Sequence, residues 1–129
     1  MPIIGLLTDF GNDFAVAALK GVILQETPGA TIIDIDHTID KFNIASAGFV
    51  LRHSIPYFPR GTIFVYIVDP GVGTARRPIA LRVARGDVLV GPDNGLLVAP
   101  ADGLGGAVGA VGLAKPAYHL PRTSTRFHG

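Results

Sequence analysis

Apolar and polar positions alternate along the first half of the chain in blocks that predict an α/β domain. The apolar run Ile3–Thr8 fits a fully buried strand, and a second, β-branched strand at Thr31–Asp36 and a third at residues 62–68 are predicted. Residues 13–26 and 44–58 carry apolar positions at helical spacing, and Asp13 stands where a helix N-cap belongs. This β-α-β-α-β order predicts a three-layer domain, in which right-handed crossovers place helices against a mainly parallel central sheet.

The second half has shorter runs and shorter connections. Residues 78–84, 87–91 and 96–100 are predicted strands, and antiparallel pairing is expected to extend the sheet. The Gly-rich stretch 103–113 is predicted as a turn that leads into a strand of small residues. Arg85, Gly86 and Asp87 form an Arg-Gly-Asp triplet, which we interpret as a hairpin corner because these residues are ordinary turn formers. Residues 91–95 predict a tight turn in which Asp93 and Asn94 are available to support a site.

Composition narrows the class of partner. The 129 residues suit one globular domain, and a net charge of +1 without a basic run argues against nucleic acid as a partner. No cysteine is present, so neither a disulfide nor a thiolate metal site is expected. His37, His53, His119 and His128 lack metal-ligand spacing, and no metal is predicted. Neither a signal peptide nor a span of about 20 apolar residues is recognisable, which predicts a cytoplasmic protein without membrane contact.

Candidate chemistry lies where the predicted parallel strands end, because ligands of open α/β sheets bind beyond those ends. Each of the three strands is followed or closed by an acid, at Asp9, Asp36 and Asp69. A single Asp is often only a turn former, but three at equivalent positions favour a site for a cationic substrate. In the stretch IVDPGVGTARRP, two glycines follow Asp69 and allow the chain to fold back, which would bring Arg76 toward Asp69.

Several motifs in order resemble the S-adenosylmethionine hydroxide adenosyltransferases, which are relatives of fluorinating and chlorinating enzymes. The motifs are LLTDFG, KGVI, IVDPGVGTARRP, VGPDNGLL and the terminal FHG. The resemblance runs the whole length of the chain. It implies hydrolysis of S-adenosylmethionine to adenosine and L-methionine, with that molecule as substrate and no separate cofactor.

The same resemblance implies roles for individual residues. Asp69, Arg76 and His128 match the family's water-handling group, and either Asp69 or His128 accepts the proton. By spacing alone, His128 is an incidental terminal histidine. Asp9 is expected on the ribose hydroxyls, and Phe42 stands where relatives place an aromatic ring against the substrate. The loop after the LLTDFG motif is one residue shorter than is usual in the family, which affects the ribose geometry.

Family members continue into a C-terminal β-barrel domain and form homotrimers with sites between subunits. Residues 1–129 are therefore expected to be the N-terminal α/β domain, with the barrel domain absent and negligible hydrolysis by this chain alone. Two other interpretations remain open. One is a truncated, non-catalytic domain for oligomerisation or adenosine binding, and the other is an S-adenosylmethionine-dependent halogenase.

Overall fold

The computed structural model describes residues 2–11, 13–41, 43–68 and 78–113. Within them the strands are β1 Ile3–Thr8, β2 Thr31–Asp36, β3 Ile63–Ile67, β4 Pro78–Val83, β5 Val88–Pro92 and β6 Ala107–Gly112. The helices are α1 Phe14–Glu26, α2 Ile44–Ser54 and α3 Val98–Gly103, with a 3₁₀ turn at Ile55–Tyr57. The predicted cap on α1 is confirmed, since the Asp13 carboxylate accepts a hydrogen bond from the Ala15 N–H at 3.3 Å. Among the described residues, no helix has the length and apolar character that crossing a bilayer requires.

The strands form one sheet in the order β2-β1-β3-β5-β4-β6. The first four strands of this order pair in parallel, and β4 pairs antiparallel with both β5 and β6. The β1-to-β2 and β2-to-β3 connections run in opposite directions along the sheet. Right-handed crossovers therefore place α1 and α2 on opposite faces. The predicted α/β fold, with a mainly parallel sheet extended by antiparallel strands, is confirmed.

Two details of the second half differ from the sequence prediction. Strand β5 pairs in parallel with β3, so only β4 and β6 supply the antiparallel extension. The predicted strand at residues 96–100 is wrong, because the chain turns there and enters α3. Leu97, Ala101 and Leu104 are buried at helical spacing, and five apolar residues are too few to distinguish a strand from a buried helix. The strand predicted after the Gly-rich turn is confirmed as β6.

The hairpin corner at Arg85–Asp87 is confirmed and contains a buried ion pair. Asp87 is fully buried, and Arg85 donates to both of its carboxylate oxygens at 2.6 and 2.7 Å. Arg85 Nη1 also donates to the Pro56 carbonyl at 3.1 Å, and the hydrogen bond to Asp87 raises the pKa of Arg85. This pairing stabilises the fully buried carboxylate, because an unpaired charge inside the protein is costly. The triplet is therefore a structural clamp between the β4–β5 hairpin and the segment after α2.

Tyr66 packs across the sheet onto a glycine of the neighbouring strand. The Tyr66 side chain is fully buried, and its hydroxyl donates to the Pro92 carbonyl at 3.4 Å. A Cβ added at Gly91 would lie 2.3 Å from Tyr66 Cζ, well inside van der Waals contact. The ring of a central-strand residue thus occupies the space that a side chain on β5 would need.

We predict that Gly91→Ala destabilises the fold by about 1–3 kcal/mol or more, because the added methyl must displace a packed aromatic ring. Gly21→Ala is the matched control, since Gly21 lies inside α1 and a Cβ there meets nothing within 4 Å. That control should stabilise by up to about 1 kcal/mol, because alanine is the better helix former. Urea unfolding of both variants measures the difference. Equal midpoints for Gly91→Ala and the parent would contradict the packing described.

Candidate active site

Strands β1, β2 and β3 end side by side, and we call the edge where Thr8, Asp36 and Ile67 lie the carboxyl edge. Thr8 is in register with Ile67 of β3. Asp9, the first residue after β1, is buried at 6% exposure, and its N–H donates to the Ile67 carbonyl at 3.3 Å. The predicted placement of Asp9 at this edge is confirmed. A buried carboxyl group at the ends of parallel strands is where this class of sheet binds ligands.

The pairing of β2 with β1 shifts by one residue just before the carboxyl edge. Leu6 pairs with Asp34, but Leu7 pairs with Asp36, so Ile35 is an extra residue on β2. Such irregularities often lie near functional sites, where they redirect a side chain. The shift advances β2 relative to β1, and the residue that reaches Thr8 is His37 rather than Asp36.

His37 makes three hydrogen bonds at the carboxyl edge. Its Nδ1 lies 2.7 Å from Thr8 Oγ1, and its Nε2 lies 2.7 Å from Asp34 Oδ1. Its backbone carbonyl accepts from the Gly11 N–H at 2.8 Å. Gly11 has a φ of 68°, a conformation that favours glycine, and this lets the loop after β1 turn back to His37. His37 therefore joins the end of β2 to both sides of Asp9.

Asp34 extends this network toward α1. Its Oδ2 accepts from Lys20 Nζ at 2.7 Å, and the hydrogen bonds from Lys20 and then from His37 hold its pKa below the ordinary value. The Asp34 side chain is 46% exposed, so the pair adds little stability by itself. The main effect of the Lys20–Asp34 pair is electrostatic, because it keeps the Asp34 carboxylate ionised at neutral pH, where that carboxylate faces the His37 ring.

Asp36, one of the three predicted strand-end acids, forms hydrogen bonds within its own turn. Its Oδ1 accepts from both the backbone N–H and the hydroxyl of Thr38 at 2.6 Å, and these bonds lower its pKa. This is the turn-forming role that a single Asp commonly has. Of the described acids at the carboxyl edge, Asp9 is the buried one and Asp36 is a turn former.

Asn94 holds the end of β3 from the other side. Its amide Nδ2 donates to the Val68 carbonyl at 2.9 Å, and its Oδ1 accepts from the Leu96 N–H at 3.0 Å. The predicted turn at residues 91–95 is confirmed, and Asn94 is the member that contacts the carboxyl edge. Val68 is fully buried and immediately precedes Asp69 in the sequence.

Four predicted site residues, Phe42, Asp69, Arg76 and His128, lie outside the described residues. From the sequence, His37 is recognised as a strand-end histidine without metal-ligand spacing, and Asn94 as a turn residue available to support a site, but neither partner is predicted. The Asp34–His37 spacing of three residues at a strand end was the available signal for the first. For Asn94 the available signal was its place in a turn, because an Asn side chain commonly accepts a hydrogen bond from the backbone two residues on, here from Leu96. Across the part of the chain that the structure describes, no three His, Asp or Glu side chains converge as metal ligands would.

The fold belongs to the open, mainly parallel α/β class, in which ligands bind beyond the carboxyl ends of the strands. The family model for the SAM hydroxide adenosyltransferase N-terminal domain matches residues 4–129. The chain belongs to this family, as its motifs predict.

Named relatives agree with that assignment. The chain is 45% identical over 129 residues to an (R)-S-adenosyl-L-methionine hydrolase of Salinispora arenicola, covering 99% of this chain and 49% of the relative. It is 32% identical to a fluorinase of an Actinoplanes species, covering 74% of this chain and 40% of the relative. A crystal structure of a conserved protein from Thermotoga maritima superposes with a TM-score of 0.90 at 35% identity, covering 97% of this chain and 48% of that one. The chain thus spans about half the length of the relatives that it matches.

We predict that Asn94→Asp destabilises the protein by about 1–3 kcal/mol at neutral pH. The introduced carboxylate cannot donate to Val68, and it faces that carbonyl oxygen with a negative charge. Its pKa is then higher in the folded than in the unfolded state. This loss is full above the raised folded-state pKa, shrinks as the pH falls toward the unfolded pKa of about 4, and is relieved below it.

Thermal unfolding from pH 7 to pH 3 tests this prediction. Asp93→Asn is the control, because it makes the reverse exchange at the exposed neighbouring position. A deficit for Asn94→Asp that stays constant across this pH range would contradict the proposed contact with Val68.

Proposed function

We propose that the full-length protein hydrolyses S-adenosylmethionine to adenosine and L-methionine, and that the carboxyl edge holds the ribose. The observation that carries the proposal is the position of Asp9. It is buried directly after β1 and lies in the LLTDFG motif of a chain that belongs to the SAM hydroxide adenosyltransferase family and is 45% identical to a protein named (R)-S-adenosyl-L-methionine hydrolase. The two ribose hydroxyls are hydrogen-bond donors that suit a carboxylate acceptor.

The chemistry of the substrate fits an acidic edge. S-adenosylmethionine carries a sulfonium cation, and attack of water at the ribose C5′ breaks the C5′–S bond. The electron pair of that bond goes to sulfur, and methionine leaves as a neutral thioether. The water oxygen forms the new bond to C5′ and loses a proton to a base. Because the leaving group needs no further activation, the reaction requires neither metal nor cofactor.

Positioning is the main contribution that this mechanism asks of the protein. Holding a water in line with the C5′–S bond supplies on the order of 7 kcal/mol or more. Excluding other water keeps the charge interactions strong, because they are weakened in a high dielectric. The order of strands brings β1 and β3 together in register, so that residues following each are available to one bound molecule.

Asp69, Arg76 and His128 are proposed to handle the water. In the sequence Asp69 comes directly after Val68, whose carbonyl accepts a hydrogen bond from Asn94. Arg76 stays protonated and orients Asp69 or lowers the pKa of the bound water. Either Asp69 or His128 takes the proton. Phe42 is proposed to pack against the substrate.

Water is favoured over halide by two sequence positions. Halogenating relatives have Tyr-Pro where this chain has Asp69-Pro70, and a hydroxyl residue where this chain has Val72. A carboxylate repels a halide ion but accepts a proton from water. The higher identity to the hydrolase than to the fluorinase supports the same choice. We also propose a cytoplasmic homotrimer, because the family resemblance implies sites between subunits.

Asp69→Ala and His128→Ala in the full-length protein are expected to lower turnover about 10²- to 10⁴-fold, the usual effect of losing a positioned general base. Asp9→Asn is expected to raise KM, because the amide replaces one acceptor oxygen that faces the ribose. Methionine and adenosine release are followed by chromatography, with circular dichroism as the folding control.

Asp102→Asn is the matched control, because this exposed acid lies on α3, outside the carboxyl edge. Parent-like turnover in both Asp69→Ala and His128→Ala would rule out the assigned water-handling group. Release of adenosine by none of the proteins, the parent included, would contradict the proposed activity.

A further inference from the structure

We propose that His37 is a positioning residue that holds Asp9 in its ligand-binding orientation, an inference that rests on the proposed function of Asp9. We do not propose that His37 contacts the substrate. It acts by bonding to the residues on both sides of Asp9, through its side chain to Thr8 and through its carbonyl to Gly11.

The two bonds enclose the turn that carries Asp9. The Thr8 side chain is fully buried, so its position is set by the contacts that it makes inside the protein. The backbone N–H of Asp9 bonds to β3, while Thr8 before it and Gly11 two residues after it bond to His37 at the end of β2. These bonds fix the backbone from which the Asp9 carboxylate extends, and such preorganisation of a binding group raises affinity.

The hydrogen-bond pattern assigns the His37 tautomer. Thr8 Oγ1 accepts from the Phe10 N–H at 3.2 Å, so its own hydrogen is free to be donated to His37 Nδ1. His37 Nε2 then carries the proton and donates to Asp34, an acceptor that Lys20 keeps ionised. Every donor in this series of hydrogen bonds faces an acceptor. A carboxylate that accepts from one imidazole nitrogen fixes the tautomer and the orientation of the ring, and so the direction in which the other nitrogen points.

The chain offers substitutions that separate the two side-chain bonds. In His37→Asn the amide falls near the position of Nδ1, which keeps the bond to Thr8 and loses the bond to Asp34. In His37→Gln the amide reaches the position of Nε2, which keeps Asp34 and loses Thr8. His37→Ala loses both, while the backbone bond to Gly11 remains in all three. Only a role through Thr8 predicts that Asn rescues function and Gln does not.

The experiment measures KM and kcat for S-adenosylmethionine and the Kd for adenosine in the full-length protein. We expect His37→Ala and His37→Gln to raise KM and Kd about tenfold with a small effect on kcat, and His37→Asn to stay within about twofold of the parent. Thr8→Val should match His37→Ala, and the double variant should be no worse than either single one, because both remove the same bond. His53→Ala is the control, since His53 is exposed on α2 and contacts the Phe49 ring.

Asp9→Asn separates the failure of this inference from the failure of the proposed function. If Asp9→Asn weakens adenosine binding while His37→Ala binds like the parent, the positioning role of His37 is wrong and the proposed function stands. If Asp9→Asn binds adenosine like the parent, the ribose role of Asp9 fails, and the role of His37 falls with it. Lower thermal stability of His37→Ala with unchanged KM and Kd would show a merely structural bond and would overturn the proposal.

Discussion

Parallel hydrogen bonding of β1 to β2 on one side and to β3 on the other is the constraint on which the rest of the structure depends. Because all three strands run the same way, their carboxyl ends meet, and the segments that follow them share one edge of the sheet. The buried position of Asp9 and its bond to Ile67 follow directly from this register. An antiparallel neighbour on either side would have removed one of the three strand ends from this edge.

Two further interactions refine that edge after the sheet has formed. The extra residue on β2 brings His37 to Thr8, and the turn after β5 brings Asn94 to Val68. Both attach a loop to a strand end through a side-chain hydrogen bond, one on each side of the central pair β1 and β3. The carboxyl edge is therefore supported from β2 and from the segment before α3.

The sequence predicted the features that local patterns determine. Strands β1 and β2 were predicted with their observed bounds, because each is a short apolar run closed by an acid. Helix α3 was missed, because the buried spacing of Leu97, Ala101 and Leu104 matters only once the sheet is present to cover it. The parallel pairing of β5 with β3 was also missed, since strand order is a long-range property that short connections do not reveal.

For the site, the sequence predicted the position of Asp9 but not what supports it. The register shift on β2 depends on how two strands pair, and no residue type in β2 marks it. His37 and Asn94 were noticed as a strand-end histidine and a turn residue, yet their partners Thr8 and Val68 lie 29 and 26 positions away along the chain. Contacts at such separations follow from topology. Family motifs supplied the roles of Asp69, Arg76, His128 and Phe42, which remain predictions.

The central claim is that this family member uses its carboxyl edge to direct water at C5′ of S-adenosylmethionine. Reaction of the full-length protein in water enriched in heavy oxygen tests it most directly, because the new C5′–O bond takes its oxygen from the attacking water. Mass spectrometry is predicted to find one heavy oxygen in the adenosine and none in the methionine formed with it. Adenosine without the heavy oxygen, or a halogenated nucleoside formed in preference when chloride or fluoride is present, would contradict the account.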